Sequence, residues 1–209
     1  MRPYLKVAGF VLLAWALTGV SGRLWAGEPL EAIKYSTEKV IEILKDPELK
    51  ADPELRERKI WDVVAERFDF EEMAKRALAI HWRDRSPQEQ REFVDLFGKL
   101  LQRSYSGKLA QYSDEKVEFL AEEIDGPRAE VRTKIISKGN EIPIEYRMMK
   151  KGNEWKVYDV VIEGVSLVNN YRNQFNRIVV SSGYKELIRR MRTKWDELIR
   201  ESDKKKEAT

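Results

Sequence analysis

Apolar residues recur at three- and four-residue steps through the first half of the chain, and at two-residue steps after Ser113. Leu30, Ile33, Thr37, Val40, Ile41 and Leu44 form one stripe behind Pro29, which predicts a helix that Asp46-Pro47 ends. Asp52-Pro53 supplies an N-cap and a first-turn proline for a second helix carrying Leu55, Ile60, Val63, Val64 and Phe68. Asp69 and Glu72 have capping-box spacing at the head of a short third helix through Leu78. Ser86-Pro87-Gln88-Glu89 is the strongest helix start, joining a cap, a first-turn proline and a glutamate placed to reach back. The stripe behind it runs Phe93, Leu96, Phe97, Leu100, Leu101, Tyr105, Leu109 and Tyr112.

The change of period predicts strands. Val117, Phe119 and Ala121 alternate with polar neighbours, as do Ala129, Val131, Thr133 and Ile135, with Gly126-Pro127 as the turn between them. Ile142, Ile144, Tyr146 and Met148 form a third set, Lys151-Gly152-Asn153 a hairpin turn, and Trp155 through Ile162 a fourth strand. Helical spacing returns over Asn169 to Ile178 and Tyr184 to Ile199. Helices first, a meander second and helices last imply an α+β fold, with helices packed on one face of a curved antiparallel four-stranded meander. Gly164 is the corner between the last strand and the next helix, with Ser166, Asn169 or Asn170 as the cap.

Charge alters this picture at one end only. Of 39 Lys and Arg, three (Arg2, Lys6 and Arg23) lie in residues 1–26, which hold no acid, leaving 36 cations against 36 anions. The remainder is neutral, which argues against nucleic acid as a partner. Arg2 and Lys6 precede an apolar run from Val7 to Val20, too short for the roughly 20 residues that span a bilayer. Residues 1–26 therefore read as a secretory signal cleaved after Ala26, the alternative being an uncleaved anchor. Residues 27–201 read as one folded domain and 202–209 as a polar tail.

Candidate chemistry is sparse. The absence of cysteine excludes disulfides, thiol nucleophiles and Cys-based metal sites, and a single histidine, His81, excludes a histidine cluster, so no metal or cofactor is expected. There is no nucleophile elbow or phosphate loop. Asp159 is out of place in an apolar strand; it is read as a carboxylate paired within the fold, the alternative being a general base in a small pocket enzyme. The cationic excess of the last helix, with Arg189 and Arg192, is read as a solvated face or a docking edge. Tyr105, Tyr112, Tyr146, Trp155, Tyr158, Tyr171 and Phe175 either fill a core or line an apolar cavity under the sheet; composition does not choose between the two.

The ordered fragments Phe68-Asp69-Phe70, Met73-Ala74, Trp82-Arg83, Ser86-Pro87-Gln88 and Phe97-Gly98-Lys99-Leu100-Leu101 resemble the helical half of the MlaC family, also called toluene-tolerance or ABC-transporter auxiliary proteins. Ile142-Pro143-Ile144-Glu145-Tyr146, Trp155 through Val160, Ile162 through Val168, Asn170-Tyr171-Arg172 and Gln174-Phe175 resemble its second half, so the likeness spans about residues 29 to 200. Ile80-His81 departs from the Leu-Gly turn expected before Trp82. The resemblance implies a non-enzymatic soluble periplasmic carrier whose cargo is phospholipid. Its implied partners are an inner-membrane ABC transporter with its substrate-binding membrane component and an outer-membrane lipoprotein complex. A hopanoid or other lipid cargo, or a cargo-free adaptor of an envelope transporter, are the alternatives. The residues expected to contact lipid are Phe97, Leu101 and Tyr105 on the long helix, Val131, Ile135, Ile144, Tyr146, Met148, Trp155 and Val157 on the strands, and Val165, Tyr171 and Phe175 beyond them. Most of the affinity is expected from the tails.

Overall fold

The computed structural model describes residues 29–109, 116–137 and 139–207, so residues 1–26, read above as a signal, and Tyr112 lie outside the described residues. Helix α1 spans Pro29–Lys45, α2 Pro47–Ala51, α3 Pro53–Arg67, α4 Phe70–Leu78 and α5 Pro87–Leu109. Asp46 does not simply stop α1. Its carboxylate accepts from the amides of Glu48 and Leu49, so the same Asp-Pro pair starts α2. The Ser86 box closes in both directions, Glu89 N–H to Ser86 Oγ at 3.2 Å and Ser86 N–H to Glu89 Oε2 at 2.8 Å. The Asp69 box closes in one. Asp69 accepts from Glu72 N–H at 3.0 Å, but its own N–H is given to Val157 O at 2.8 Å, and the Glu72 carboxylate turns to Arg76 instead.

The sheet is one strand longer than the pattern implied. Strands β1 (Lys116–Asp125), β2 (Arg128–Ser137), β3 (Asn140–Lys151) and β4 (Glu154–Ile162) form an antiparallel meander, and β5, Val165–Ser166, adds a short edge. Glu163 and Gly164 both have positive φ, at 50° and 79°, between the paired residues Ile162 and Val165. Two successive left-handed residues make the tight hairpin turn whose twist suits a β-sheet, and Gly164 adopts its share without a Cβ clash.

Two bulges decide which side chains point inward. The register shifts between Phe119 and Ala121, and again opposite Arg147 and Met148, so Leu120 and Tyr158 are the extra residues. After each bulge the parity inverts. Val117 and Phe119 share the inner face with Glu122 and Ile124, not with Ala121, because Glu122 pairs with Val131 and Ile124 with Ala129. On β4 both apolar sets face inward in succession: Trp155 and Val157 before Tyr158, Val160 and Ile162 after it. The outer face is a lattice of ion pairs, Glu118 to Lys134 at 3.3 Å, Lys134 to Glu141 at 2.9 Å and Arg147 to Glu130 at 3.8 Å, which keeps that surface in water.

Helix α6 (Leu167–Ser182) starts earlier than its spacing suggested because Ser166 is the cap, accepting from Asn169 N–H at 3.0 Å. Helix α7 (Tyr184–Glu207) continues into the segment read as a polar tail. Helices α4 to α7 enclose one core, in which Phe93, Phe97, Tyr171 and Phe175 interlock with centroids 5.1–6.0 Å apart and mostly edge-to-face geometry. A second core lies against the sheet, where Ile33 of α1 joins Ala129, Val131, Met148, Trp155 and Val157 in one buried cluster.

Candidate functional site

Beyond Ile33, α1 and the sheet enclose space instead of packing together. A cavity of about 600 Å³ lies between α1, α3, α5 and the inner face of the sheet, within the roughly 300–1,000 Å³ common for small-molecule pockets. Val40, Ile41 and Leu44 of α1 form one wall and are only half-buried. Trp61 and Val64 of α3 and Phe68 just after it, with Phe70 and Met73 of α4, form the second; Leu101, Tyr105 and Leu109 of α5 the third. The sheet supplies the floor through Val117, Ile135, Ile142, Ile144, Tyr146, Val160 and Ile162. Because the Tyr158 bulge turns Val160 and Ile162 inward, the part of the floor that β4 supplies is apolar.

The polar groups on the wall are mostly satisfied from behind. Ser36 Oγ donates to Ala32 O at 3.1 Å and Thr37 Oγ1 to Ile33 O at 2.8 Å, a back-bonding that lets hydroxyls sit in an apolar lining. Burial pushes the Tyr105 phenol above its usual range, and that of Tyr171 behind it up to about 12, so both rings are neutral at physiological pH. Among the described residues the charged groups of the lining are Lys45 and Arg67, with no carboxylate. Such a surface can take apolar chains out of water.

Five of the thirteen residues expected at this site lie on the wall: Leu101, Tyr105, Ile135, Ile144 and Tyr146. Phe97, Tyr171 and Phe175 are instead in the helical core, held by one another's rings. Val131, Met148, Trp155 and Val157 do face inward, but Ile33 and its neighbours cover them. Val165 is 61% exposed on the short edge strand. The contributions of α1 and α3 were missed, although the α1 stripe is plain in the sequence; a helical stripe alone does not say whether it meets side chains or space.

The two chemically suggestive residues are accounted for elsewhere. Asp159 lies on the opposite face of β4 from the cavity, where Oδ1 accepts from Val168 N–H at 2.9 Å and Oδ2 from Ser166 Oγ at 2.6 Å, with Arg147 Nη1 at 3.4 Å. It fastens β4 to the start of α6. His81 meets Asn176 Oδ1 at 2.9 Å at the surface, within a 3-10 turn, Ala79–Trp82, that takes the place of the expected Leu-Gly turn. The turn begins with Ala79 at φ 51°, a strained conformation for a residue with a Cβ.

Comparison with known proteins places the chain. Its sequence is 23% identical over 199 residues, 91% of this chain and 92% of the relative, to the intermembrane phospholipid transport system binding protein MlaC of Haemophilus influenzae. It is 26% identical over 110 residues, about half of each protein, to the toluene tolerance protein ttg2D of Pseudomonas putida. Its fold matches that of a phospholipid-binding protein from Ralstonia solanacearum, solved in complex with a phospholipid, with a TM-score of 0.73 and 27% identity over 82% of this chain and 99% of that one. The MlaC protein family model matches residues 34–193, most of the described fold, and the chain belongs to the MlaC family.

Proposed function

We propose that this protein binds a phospholipid by its acyl chains in the cavity and carries it through the periplasm between an outer-membrane lipoprotein complex and an inner-membrane ABC transporter, residues 1–26 directing its export. The observation that carries this reading is the apolar cavity of about 600 Å³ between α1 and the sheet. Each methylene removed from water contributes about 0.8 kcal/mol, so ten of them contribute on the order of 8 kcal/mol. A charge-assisted hydrogen bond to a headgroup adds roughly 1.5–3 kcal/mol, so the tails dominate affinity. The likeness to the Ralstonia protein, solved with a phospholipid, supports the cargo class. Among the described residues no helix is long and apolar enough to cross a membrane, which suits a carrier that leaves one.

Purified protein tests this by its phosphate-to-protein ratio and native mass. Ile41→Asp and Leu44→Asp place a carboxylate on a half-buried wall that the cores do not use, so each folds and loses co-purifying lipid. Arg189→Ala with Arg192→Ala on α7, remote from the lining, retains it. Wild-type protein that leaves a Gram-negative host without lipid would overturn the reading.

A further inference from the structure

Among the described residues the cavity wall carries charge of one sign only, in a chain where acids and bases are nearly equal in number. Its two charged residues, Lys45 and Arg67, have no carboxylate within ion-pairing distance among the described residues, whereas Lys134 and Arg147 on the outer sheet face each have two. A cation at the last position of a helix suits the helix dipole, which holds for Lys45 at the end of α1 and for Arg67 at the end of α3. It does not account for how Arg67 is held. Arg67 Nε donates to Ser36 Oγ at 3.0 Å and Nη1 to Trp155 O at 2.9 Å, so α1 and β4 fix the guanidinium at the edge of an apolar space. Those two bonds use two of its five N–H donors. The carboxylate of Glu154 feels the Arg67 charge, but Lys156 holds it at 2.7 Å.

We propose that Arg67 anchors the phosphate of the bound lipid, so that the cavity selects a phosphate-bearing diacyl lipid over an uncharged diacylglycerol with the same chains. This rests on the lipid-binding reading above and adds where the polar end sits. Guanidinium is planar and presents paired donors that match two phosphate oxygens, and Ser36 and Trp155 O preset its orientation. Arg67 is half-buried, so whatever esterifies the phosphate reaches water and is not read. From Ser36 to Lys45 is nine residues of α1, about 13 Å, too far for both cations to share one phosphate. With the phosphate at Arg67 the tails run along α1 toward Leu44 and Leu109.

The test is competition. Delipidated full-length mature protein is offered equimolar dioleoyl-phosphatidylglycerol and dioleoylglycerol in micelles of a neutral detergent, and the bound ratio is read by native mass spectrometry. Wild type takes the phospholipid about tenfold more, the size of one charge-assisted contact. Arg67→Met takes both equally with total uptake retained, Ser36→Ala falls between, and Arg189→Ala, outside the lining, matches wild type. Arg67→Lys keeps the charge without the fork and reduces the preference, which preserves the test if Arg67→Met does not fold. Phosphatidylethanolamine behaves as phosphatidylglycerol does. Inorganic phosphate at millimolar concentration leaves the ratio unchanged; if it displaced the phospholipid without tails of its own, the site would be one for free phosphate and the inference would fail. Equal uptake by wild type, or an unchanged preference in Arg67→Met, overturns it. Wild type that takes up neither lipid overturns the lipid-binding reading instead.

Discussion

The molecule holds two apolar regions built from similar residues, and only one is full. Between α4, α5, α6 and α7, rings meet rings: Phe93, Phe97 and Phe175 are each 5% exposed or less and lock at 5.6–6.0 Å. Between α1 and the sheet, Val40, Ile41 and Leu44 face Ile135, Ile142 and Ile144 across open space. The difference lies in how the bounding elements are held apart. Ile33 packs α1 down at one end, Arg67 bridges α1 to β4, and α3 enters from the side with Trp61 stacked on Phe70 at 5.1 Å. Helix α1 is thus propped over the sheet where the helices beyond it collapse on one another.

The sharpest way to break that comparison is to truncate one residue on each side. Phe97→Ala removes a ring from the full core and is expected to cost about 3–5 kcal/mol in urea unfolding. Leu44→Ala on the cavity wall is expected to cost under about 1 kcal/mol while weakening lipid retention, because little protein packs against it. Equal costs would mean that the two regions are packed alike and that the cavity closes in solution.

A smaller effect tests the joint between the regions. Asp159 ties the floor strand β4 to the start of α6 in the full core, and Asp159→Ala orphans the buried Val168 N–H and removes the partner of Ser166. A loss of about 1–3 kcal/mol is expected, with lipid retention kept by the folded fraction. Loss of lipid from protein of unchanged thermal stability would show that Asp159 serves the cargo and not the joint.

The smallest effect belongs to the rim of the full region. Arg189 and Arg190 hydrogen-bond Glu186 in the first turn of α7 and hold its carboxyl down to about 2, from an ordinary 4.5. A depressed carboxylate stabilises the fold fully above about pH 4.5 and loses that contribution as the pH falls through about 2. Glu186→Gln should therefore lose less thermal stability than wild type between pH 6 and pH 2. Equal acid losses in the two proteins would reject the contribution, which is modest in any case because the group is in water.

Much of this architecture is local and was legible as sequence. The caps at Asp52, Asp69 and Ser86, the turns at Gly126 and Gly152, the corner at Gly164, and the change of period that separates helices from strands all rest on interactions within a few residues. The ordered fragments from Phe68 to Phe175 pointed to the family for the same reason: they are stretches of chain. Tertiary structure decided the rest. Alternation gives two faces to a strand, but a single extra residue inverts them, and nothing in the order Trp155, Val157, Val160, Ile162 reveals that Tyr158 bulges so that all four face inward. Nor does a stripe of apolar residues state its distance from the next one. Phe97 and Leu101 sit four apart on one helix and share its core, yet only Leu101 also reaches the cavity wall, because the Phe97 ring is enclosed by Phe93, Tyr171 and Phe175 while Leu101 borders the space that α1 leaves open. Whether apolar surface is buried by protein or kept for a ligand depends on the spacing of packed elements, and that spacing is set by the cluster that Ile33 shares with the sheet and by the hydrogen bond of Arg67 to Trp155 O, between residues about 90 or more positions apart in the chain.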